Sequence, residues 1–244
     1  MSPRQRAYFQ QRVPPPMPET AVTLPLNARL FQPTHDIGAA HPHTRVVPEL
    51  ADLIDVFTET TQVCLFERSP TPRIERYLAS LDQRSWRGFR LVTSAPTAQM
   101  PSSTWPLPIS EGDDHDRAAL ANDLAFLAEL YADLLGCPAL GVRMERLDQA
   151  MCPRWHRDRT GVRLLCTYRG PGTEWLEDRG LDGLDLREEA TQSLPASGCA
   201  KTFDIVLLKG SAWPGNAARG AIHRSPAPDT DTRYLLAIDA LWDA

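Results

Sequence analysis

The sequence changes pattern at Pro138, and this change restricts the fold more than any other feature. Beyond it, apolar and β-branched residues occur in short runs that glycine and proline separate, at Val142 to Met144 and over 162–168, 205–208 and 233–238. Several short strands at this spacing are typical of a β-sandwich or a β-barrel. The part of the chain after Pro138 is therefore predicted to be built mainly of strands.

Two motifs between these runs predict tight turns, Gly170-Pro171-Gly172 and Trp213-Pro214-Gly215-Asn216. In the second motif proline is followed by glycine, the order that a type II turn prefers. Its third residue needs a positive φ, which glycine adopts without steric cost.

Before Pro138 the pattern predicts helices that alternate with strands. A long helix is expected after Ser110, whose hydroxyl can cap it, and before Gly136. Its apolar stripe is expected in the core and consists of Leu120, Leu124, Leu127, Leu130 or Tyr131, and Leu134. The shorter predicted elements are helices at Glu49 to Phe57 and Arg73 to Leu81 and strands at Gln62 to Glu67 and Gly88 to Thr93.

Prolines 14, 15, 16 and 18 indicate that the N-terminal segment is extended, because proline cannot continue a helix. We therefore expect an extended arm over 1–45, a mixed helix and strand region over 46–138 and a β-rich core over 139–244, the last two integrated in one domain. The predicted class is α+β. A chain of 244 residues with 42% apolar residues is large enough to fold unaided.

Charge and cysteine content exclude several classes of function. The net charge is -5 and no basic cluster dominates, which argues against a nucleic-acid or anionic-membrane partner. No stretch is long and apolar enough for a signal peptide or a membrane span. The five cysteines are scattered and show no C-x-x-C spacing, so we expect reduced thiols and a cytoplasmic location.

His156 and Asp158 form the motif on which the functional prediction depends. Residues two apart on an extended backbone project from the same face, so this imidazole and carboxylate lie side by side. His223 follows a later apolar run and a turn, where a barrel brings a late strand beside an early one. Two histidines and a carboxylate leave positions open on a metal, as in non-haem iron oxygenases. The alternative is a pair of hydrogen-bonded structural histidines.

Arg233 is a candidate for binding a carboxylate near that metal. If residues 226–231 are the loop of a hairpin, His223 lies directly opposite Arg233, with Cβ atoms roughly 4.5–5.5 Å apart. A guanidinium matches carboxylate geometry and could bind the far carboxylate of a dicarboxylate chelated to the metal. The alternative is a surface arginine in an ordinary salt bridge.

The surrounding residues resemble a bacterial family known only as a domain of unknown function, whose members tend to be associated with zinc-homeostasis genes. This resemblance covers most of residues 45 to 240. It depends on Cys152-Pro153-Arg154-Trp155-His156, LLCTYRGPGTEW at 164–175, LLKGSAWPGN at 207–216 and His223-Arg224-Ser225-Pro226. More loosely, residues 139–240 resemble the iron(II) and 2-oxoglutarate dependent oxygenases of the double-stranded β-helix, or jelly-roll, fold.

The oxygenase resemblance implies a C-terminal jelly roll with N-terminal helices and extra strands packed on it. It also implies that His156, Asp158 and His223 bind Fe(II) and that Arg233 binds the far carboxylate of 2-oxoglutarate. Many such enzymes have a serine two residues after the arginine, but here Leu235 occupies that position. Three residues are candidates for the missing hydrogen bond, namely Tyr168, Arg163 and Ser225.

Other readings use the same donors. Zinc also binds histidine and carboxylate, so a hydrolase, carrier or sensor acting in zinc homeostasis is an alternative, with Cys152 or Cys166 as a further ligand or as structural thiols. A binding module that holds no metal is another alternative.

The substrate is expected to be a small molecule or a peptide. Arginines near the ligands favour an acidic one, unless they are paired on solvated faces (Arg154, Arg157, Arg159 and Arg169).

Overall fold

The computed structural model describes residues 43–81, 85–95, 101, 104–109, 114–177, 185–217, 219–226 and 232–242. Ten strands are described: β1 Thr44–Val47, β2 Val63–Phe66, β3 Gly88–Ser94, β4 Ala139–Leu147, β5 Val162–Arg169, β6 Glu174–Leu176, β7 Gly198–Cys199, β8 Ile205–Lys209, β9 Ile222–Arg224 and β10 Arg233–Leu241. The helices are a 3-10 helix η1 at Leu50–Phe57, α1 at Pro72–Leu81, α2 at Asp114–Leu135 and α3 at Glu189–Gln192. None of these helices is both long and apolar enough to cross a lipid bilayer.

The strands form a large and a small sheet that face each other. The large sheet has the order β1-β2-β8-β5-β10-β4-β3, and the small sheet has the order β7-β6-β9. Only β1 and β2 pair in parallel; every other described pair is antiparallel. From β4 onward the chain passes repeatedly between the two sheets, which is the winding of a jelly roll.

Each face of the large sheet has its own core. Side chains alternate along a strand, so even-numbered residues of β5 and β10 pack against the helices, whereas odd-numbered residues face the small sheet. The helix-side core includes Leu164 and Leu236, and the core between the sheets includes Leu165, Leu235 and Trp175. The second core is the layer that borders the candidate site.

Helix α2 buries the apolar stripe that its sequence predicts. Leu120, Leu124 and Leu127 have no exposed surface. The helix ends where Gly136 adopts a φ of 65° and its amide donates to the Ala132 carbonyl at 2.8 Å. Glycine favours such a left-handed C-terminal position because it has no Cβ to clash.

Most sequence predictions of elements are confirmed. The α+β class is observed, and most of the predicted helices and strands lie within a residue or two of the described ones, although β4 and β10 are longer than predicted. The turn at Trp213 to Asn216 has the type II features, because Gly215 has a φ of 77° and the Asn216 amide donates to the Trp213 carbonyl at 2.9 Å. The arm over 1–42 and the Ser110 cap lie outside the described residues.

Two features differ from the sequence predictions. The prediction of a hairpin that pairs His223 with Arg233 is wrong. Strand β9 pairs with β6 in the small sheet, whereas β10 lies between β4 and β5 in the large sheet. The chain crosses from the small sheet to the large sheet between β9 and β10, so these two neighbours in sequence do not pair. In addition, β1, β2 and β3 extend the large sheet at its edges, so that sheet is not confined to the C-terminal part. The division of the chain near residues 45 and 138 stays a prediction.

Candidate metal centre

The two histidines of the predicted site are paired through their backbones. The amide of His156 donates to the carbonyl of His223 at 3.1 Å, and the amide of His223 donates back to His156 at 3.0 Å. This single bridge adds residue 156 to the edge of the small sheet beside β9. Residues that exchange both bonds have their side chains on the same face of the sheet, and the ring centroids are 4.3 Å apart.

Backbone carbonyls fix the orientation of both imidazoles. Nδ1 of His156 lies 2.9 Å from the Arg154 carbonyl oxygen, and Nδ1 of His223 lies 3.0 Å from the Ala221 carbonyl oxygen. A carbonyl only accepts, so each Nδ1 carries the proton and each neutral ring has its lone pair on Nε2. This arrangement is the one in which histidine binds a metal through Nε2.

Asp158 completes a group of three donors. Its Oδ1 lies 3.7 Å from Nε2 of His156, and its Oδ2 lies 3.5 Å from Nε2 of His223. One donor atom from each residue lies within 4.8 Å of the others. Metal to nitrogen and oxygen distances are about 2.0–2.2 Å, so one ion can reach all three. The residues therefore fit a divalent metal, and among the described residues this group contains no cysteine.

The segment that carries Asp158 is held against β8 by main-chain contacts. The Ser211 amide donates to the Asp158 carbonyl at 2.9 Å, and the Gly210 amide donates to the Gly161 carbonyl at 2.7 Å. A Cβ on Gly210 would lie 2.3 Å from the Thr160 carbonyl oxygen and 2.9 Å from that of Asp158. Glycine is thus required at residue 210 for the two backbone segments to approach this closely. The segment around Gly210 therefore positions Asp158 without being a metal ligand itself.

The electrostatics of the site favour an ionised Asp158 carboxylate beside a neutral His156 imidazole. Burial opposes ionisation of Asp158, but its contact with His223 and the positive charge of Arg163 hold the pKa of its carboxyl well below the usual range. Burial, and then the proximity of His223, lower the pKa of His156. These are the protonation states that metal binding requires.

Arg163 contacts Asp158 and does not reach Arg233. Its Nη1 donates to Oδ2 of Asp158, while Nε and Nη2 both donate to Asp239 at 2.8 Å. The residue was a candidate for binding a co-substrate beside Arg233. The structure instead gives all of its described hydrogen bonds to these two carboxylates.

Arg233 is buried between the sheets among hydroxyl groups. Its Nη2 donates to Oγ1 of Thr173 at 2.9 Å and to Oγ1 of Thr167 at 3.2 Å, and its Nη1 lies 3.5 Å from Oγ of Ser225. Among the described residues no carboxylate lies within ion-pairing distance, and Nε has no hydrogen-bond partner. Burial lowers the pKa of Arg233 to about 10. Ser225 is two residues beyond His223, so this guanidinium lies close to the metal centre.

Thr167 and Thr173 are residues that the sequence reasoning missed. Thr167 shares the odd-numbered face of β5 with Arg163 and Leu165, and this alternation could have identified it. Thr173 precedes the short strand β6, and no sequence pattern indicates its position.

Tyr168 and Cys166 lie on the other face of the large sheet. The Tyr168 hydroxyl donates to Oδ2 of Asp123 at 2.6 Å, and Nη2 of Arg68 donates to Sγ of Cys166 at 3.4 Å. Both side chains pack in the helix-side core. The sheet therefore separates them from Arg233 and from the histidines, so Tyr168 does not supply the hydrogen bond sought there, nor Cys166 a ligand. Cys152 is exposed.

The fold and the site together define a jelly-roll protein in which two histidines and an aspartate converge beside a buried arginine. Within that class, the chain belongs to the family described as "Protein of unknown function (DUF1826)", whose model matches residues 48–239. The resemblance to a domain of unknown function is thus confirmed, and the association with zinc-homeostasis genes stays a prediction.

Several solved structures are similar to this chain at low identity. The dioxygenase for auxin oxidation 1 from Arabidopsis thaliana, in its binary complex with 2-oxoglutarate, is 12% identical with a TM-score of 0.49, over 82% of this chain and 92% of that chain. The rice dioxygenase for auxin oxidation is 13% identical with a TM-score of 0.49, over 79% and 77%.

An oxidoreductase of the 2OG-Fe(II) oxygenase family from Burkholderia pseudomallei is 10% identical with a TM-score of 0.42, over 82% of this chain and 95% of that chain. In sequence, no curated protein matches. At these identities the function has to follow from this chain's own residues.

Proposed function

We propose that this protein is a mononuclear non-haem iron(II) oxygenase that uses 2-oxoglutarate to oxidise a small molecule or a peptide. One observation carries the proposal. Two imidazoles with free Nε2 lone pairs converge with Asp158 beside Arg233, a buried guanidinium with no carboxylate partner among the described residues. A buried charge without a counter-ion is costly, so such an arginine is expected to have an anionic ligand.

His156, Asp158 and His223 would hold the ion, and Arg233 would hold the far carboxylate of the co-substrate. The hydroxyls of Thr167 and Thr173 orient the guanidinium and leave its Nε and part of Nη1 for the ligand. The ion and 2-oxoglutarate, when held there, would supply the oxidising chemistry, in which the co-substrate is converted by oxygen to succinate and carbon dioxide.

The surroundings of the site suit a dry co-substrate pocket that is open on one side. Leu165, Leu235 and Ala237 are buried between the sheets, in the layer where Arg233 lies, and these apolar side chains would limit the access of water to a bound co-substrate. The side chain of His156 is 31% exposed, whereas that of His223 is 8% exposed. We propose that the primary substrate approaches from the His156 side.

The decisive experiment begins with purified protein loaded anaerobically with ferrous ion. Adding 2-oxoglutarate should produce the visible charge-transfer band of the iron and keto-acid chelate, and air should then yield succinate. Asp158→Ala should lose the band. Arg76→Gln, on the exposed helical surface, should keep it. Tight retention of zinc and the absence of a band with iron would refute the oxygenase and favour the zinc protein.

A further inference from the structure

Asp158 is one end of a chain of three charged side chains. Arg163 donates Nη1 to Oδ2 of Asp158, and its other edge binds Asp239 with two bonds of 2.8 Å. The three side chains are between 18% and 31% exposed, so water screens them less than it screens surface pairs. Oδ1 of Asp158, the oxygen that faces His156, has no part in this chain.

The backbone fixes where Arg163 and Asp239 meet. They are direct partners in the register of β5 and β10. The hydroxyl of Tyr131, from helix α2, donates to the Val162 carbonyl and accepts from the Ala240 amide at 3.1 Å. One buried phenol thus holds the residues next to both members of the pair. The backbone positions of Arg163 and Asp239 are therefore set by the sheet and the helix.

We infer that Arg163 and Asp239 are positioning residues for the metal ligand Asp158, and this inference rests on the proposed metal site. Arg163 holds Oδ2 and so presents Oδ1 to the ion, which prevents the carboxylate from rotating or chelating with both oxygens. Asp239 offsets the positive charge that Arg163 brings next to a cation. Partners that orient metal ligands in this way commonly contribute 10- to 100-fold in metal affinity.

The sign of one measurement separates this role from simple electrostatics. Arg163→Gln removes a positive charge close to a cation site, so charge alone predicts tighter metal binding. Loss of positioning predicts weaker binding, by roughly 10- to 100-fold. The two explanations therefore move the dissociation constant in opposite directions.

The experiment measures the dissociation constant of Mn²⁺ for the full chain, from the electron paramagnetic resonance signal of the free ion. We expect Arg163→Gln and the charge-neutral double variant Arg163→Gln/Asp239→Asn to bind Mn²⁺ at least 10-fold more weakly than the unaltered protein. The matched control is Arg76→Gln, because Arg76 also binds Asp116 through two bonds, both of 2.9 Å. It should bind Mn²⁺ as the unaltered protein does.

Folding of each variant is checked by thermal unfolding without metal. The double variant leaves no unpaired charge on residue 239, and Arg163→Lys keeps the charge but cannot bind both carboxylates in a planar fork. If the glutamine variants do not fold, weaker Mn²⁺ binding and an altered Co²⁺ absorption spectrum in Arg163→Lys support the inference. Equal or tighter binding in the folded variants overturns it. An unaltered protein that binds no Mn²⁺ refutes the metal site itself.

Discussion

Replacing Arg233 by methionine should abolish co-substrate binding without destabilising the ligand-free protein. The guanidinium is 6% exposed, and burial lowers the pKa of Arg233 from 12.5 to about 10. Each unit corresponds to 1.36 kcal/mol, so keeping the charge in this position costs about 3 kcal/mol. Methionine fills similar space without a charge. Losing its contacts with three hydroxyls costs roughly 1 kcal/mol each, which offsets most of this gain.

The expected free energy of unfolding of Arg233→Met without ligand therefore lies within about 1 kcal/mol of the unaltered protein. Urea titrations of both proteins measure it. With Mn²⁺ already saturating, adding 2-oxoglutarate at about 100 times its dissociation constant should stabilise the unaltered protein by a further ~2.7 kcal/mol and should not stabilise the variant further. Calorimetric titration should show at least a 100-fold loss of 2-oxoglutarate affinity with Mn²⁺ affinity retained.

A loss of more than about 3 kcal/mol in the ligand-free variant would refute this reasoning, because it would mean that the guanidinium supports the fold as an ordinary structural group. If the variant kept its affinity for 2-oxoglutarate, the proposed role of Arg233 would also be refuted, because another cation would then bind the far carboxylate.

Three further predictions test the surroundings of the site. Burial lowers the pKa of Lys209 to about 8. Between pH 8 and 10.5 the unfolded chain therefore binds more protons than the folded one, so stability rises with pH in this range. Relative to Lys209→Met, the free energy of unfolding measured in urea titrations should rise by about 1 kcal/mol from pH 7 to pH 9. Gly210→Ala should displace the backbone carrying Asp158 and weaken Mn²⁺ binding about 10-fold, as measured by dialysis; unchanged affinity would show that the loop adjusts freely. Asp123→Ala should destabilise the protein by about 3 kcal/mol in urea, because it leaves the largely buried guanidinium of Arg68 without its carboxylate partner, while Mn²⁺ affinity is expected to stay the same.

Local patterns predicted the elements well because each depends on neighbouring residues. The stripe of α2 follows from helical periodicity, and Gly136 ends the helix by its own conformational freedom. His156 and Asp158 are two apart on extended backbone, so their shared face also follows from local geometry. The structure brings both residues together with His223.

Pairing between distant segments could not be predicted in the same way. The predicted pairing of His223 with Arg233 assumed a hairpin, whereas the fold places their strands in different sheets. The prediction of Tyr168 was wrong because side chains alternate between the two faces of a strand. A shift of one residue reverses the face, and Thr167 is the residue that points at Arg233. Thr173 depends on how β6 lies in the small sheet, which no local pattern specifies.

The bridge between His156 and His223 joins positions that are 67 residues apart (223 − 156). Closing a loop of this length costs conformational entropy before the contact is gained, so the three donors meet only when the strands that carry them have come together. Before that, the chain offers an ion only scattered side chains with little affinity. If the proposed metal site is correct, the metal-free protein is therefore already folded, and the ion binds to a preformed group of donors.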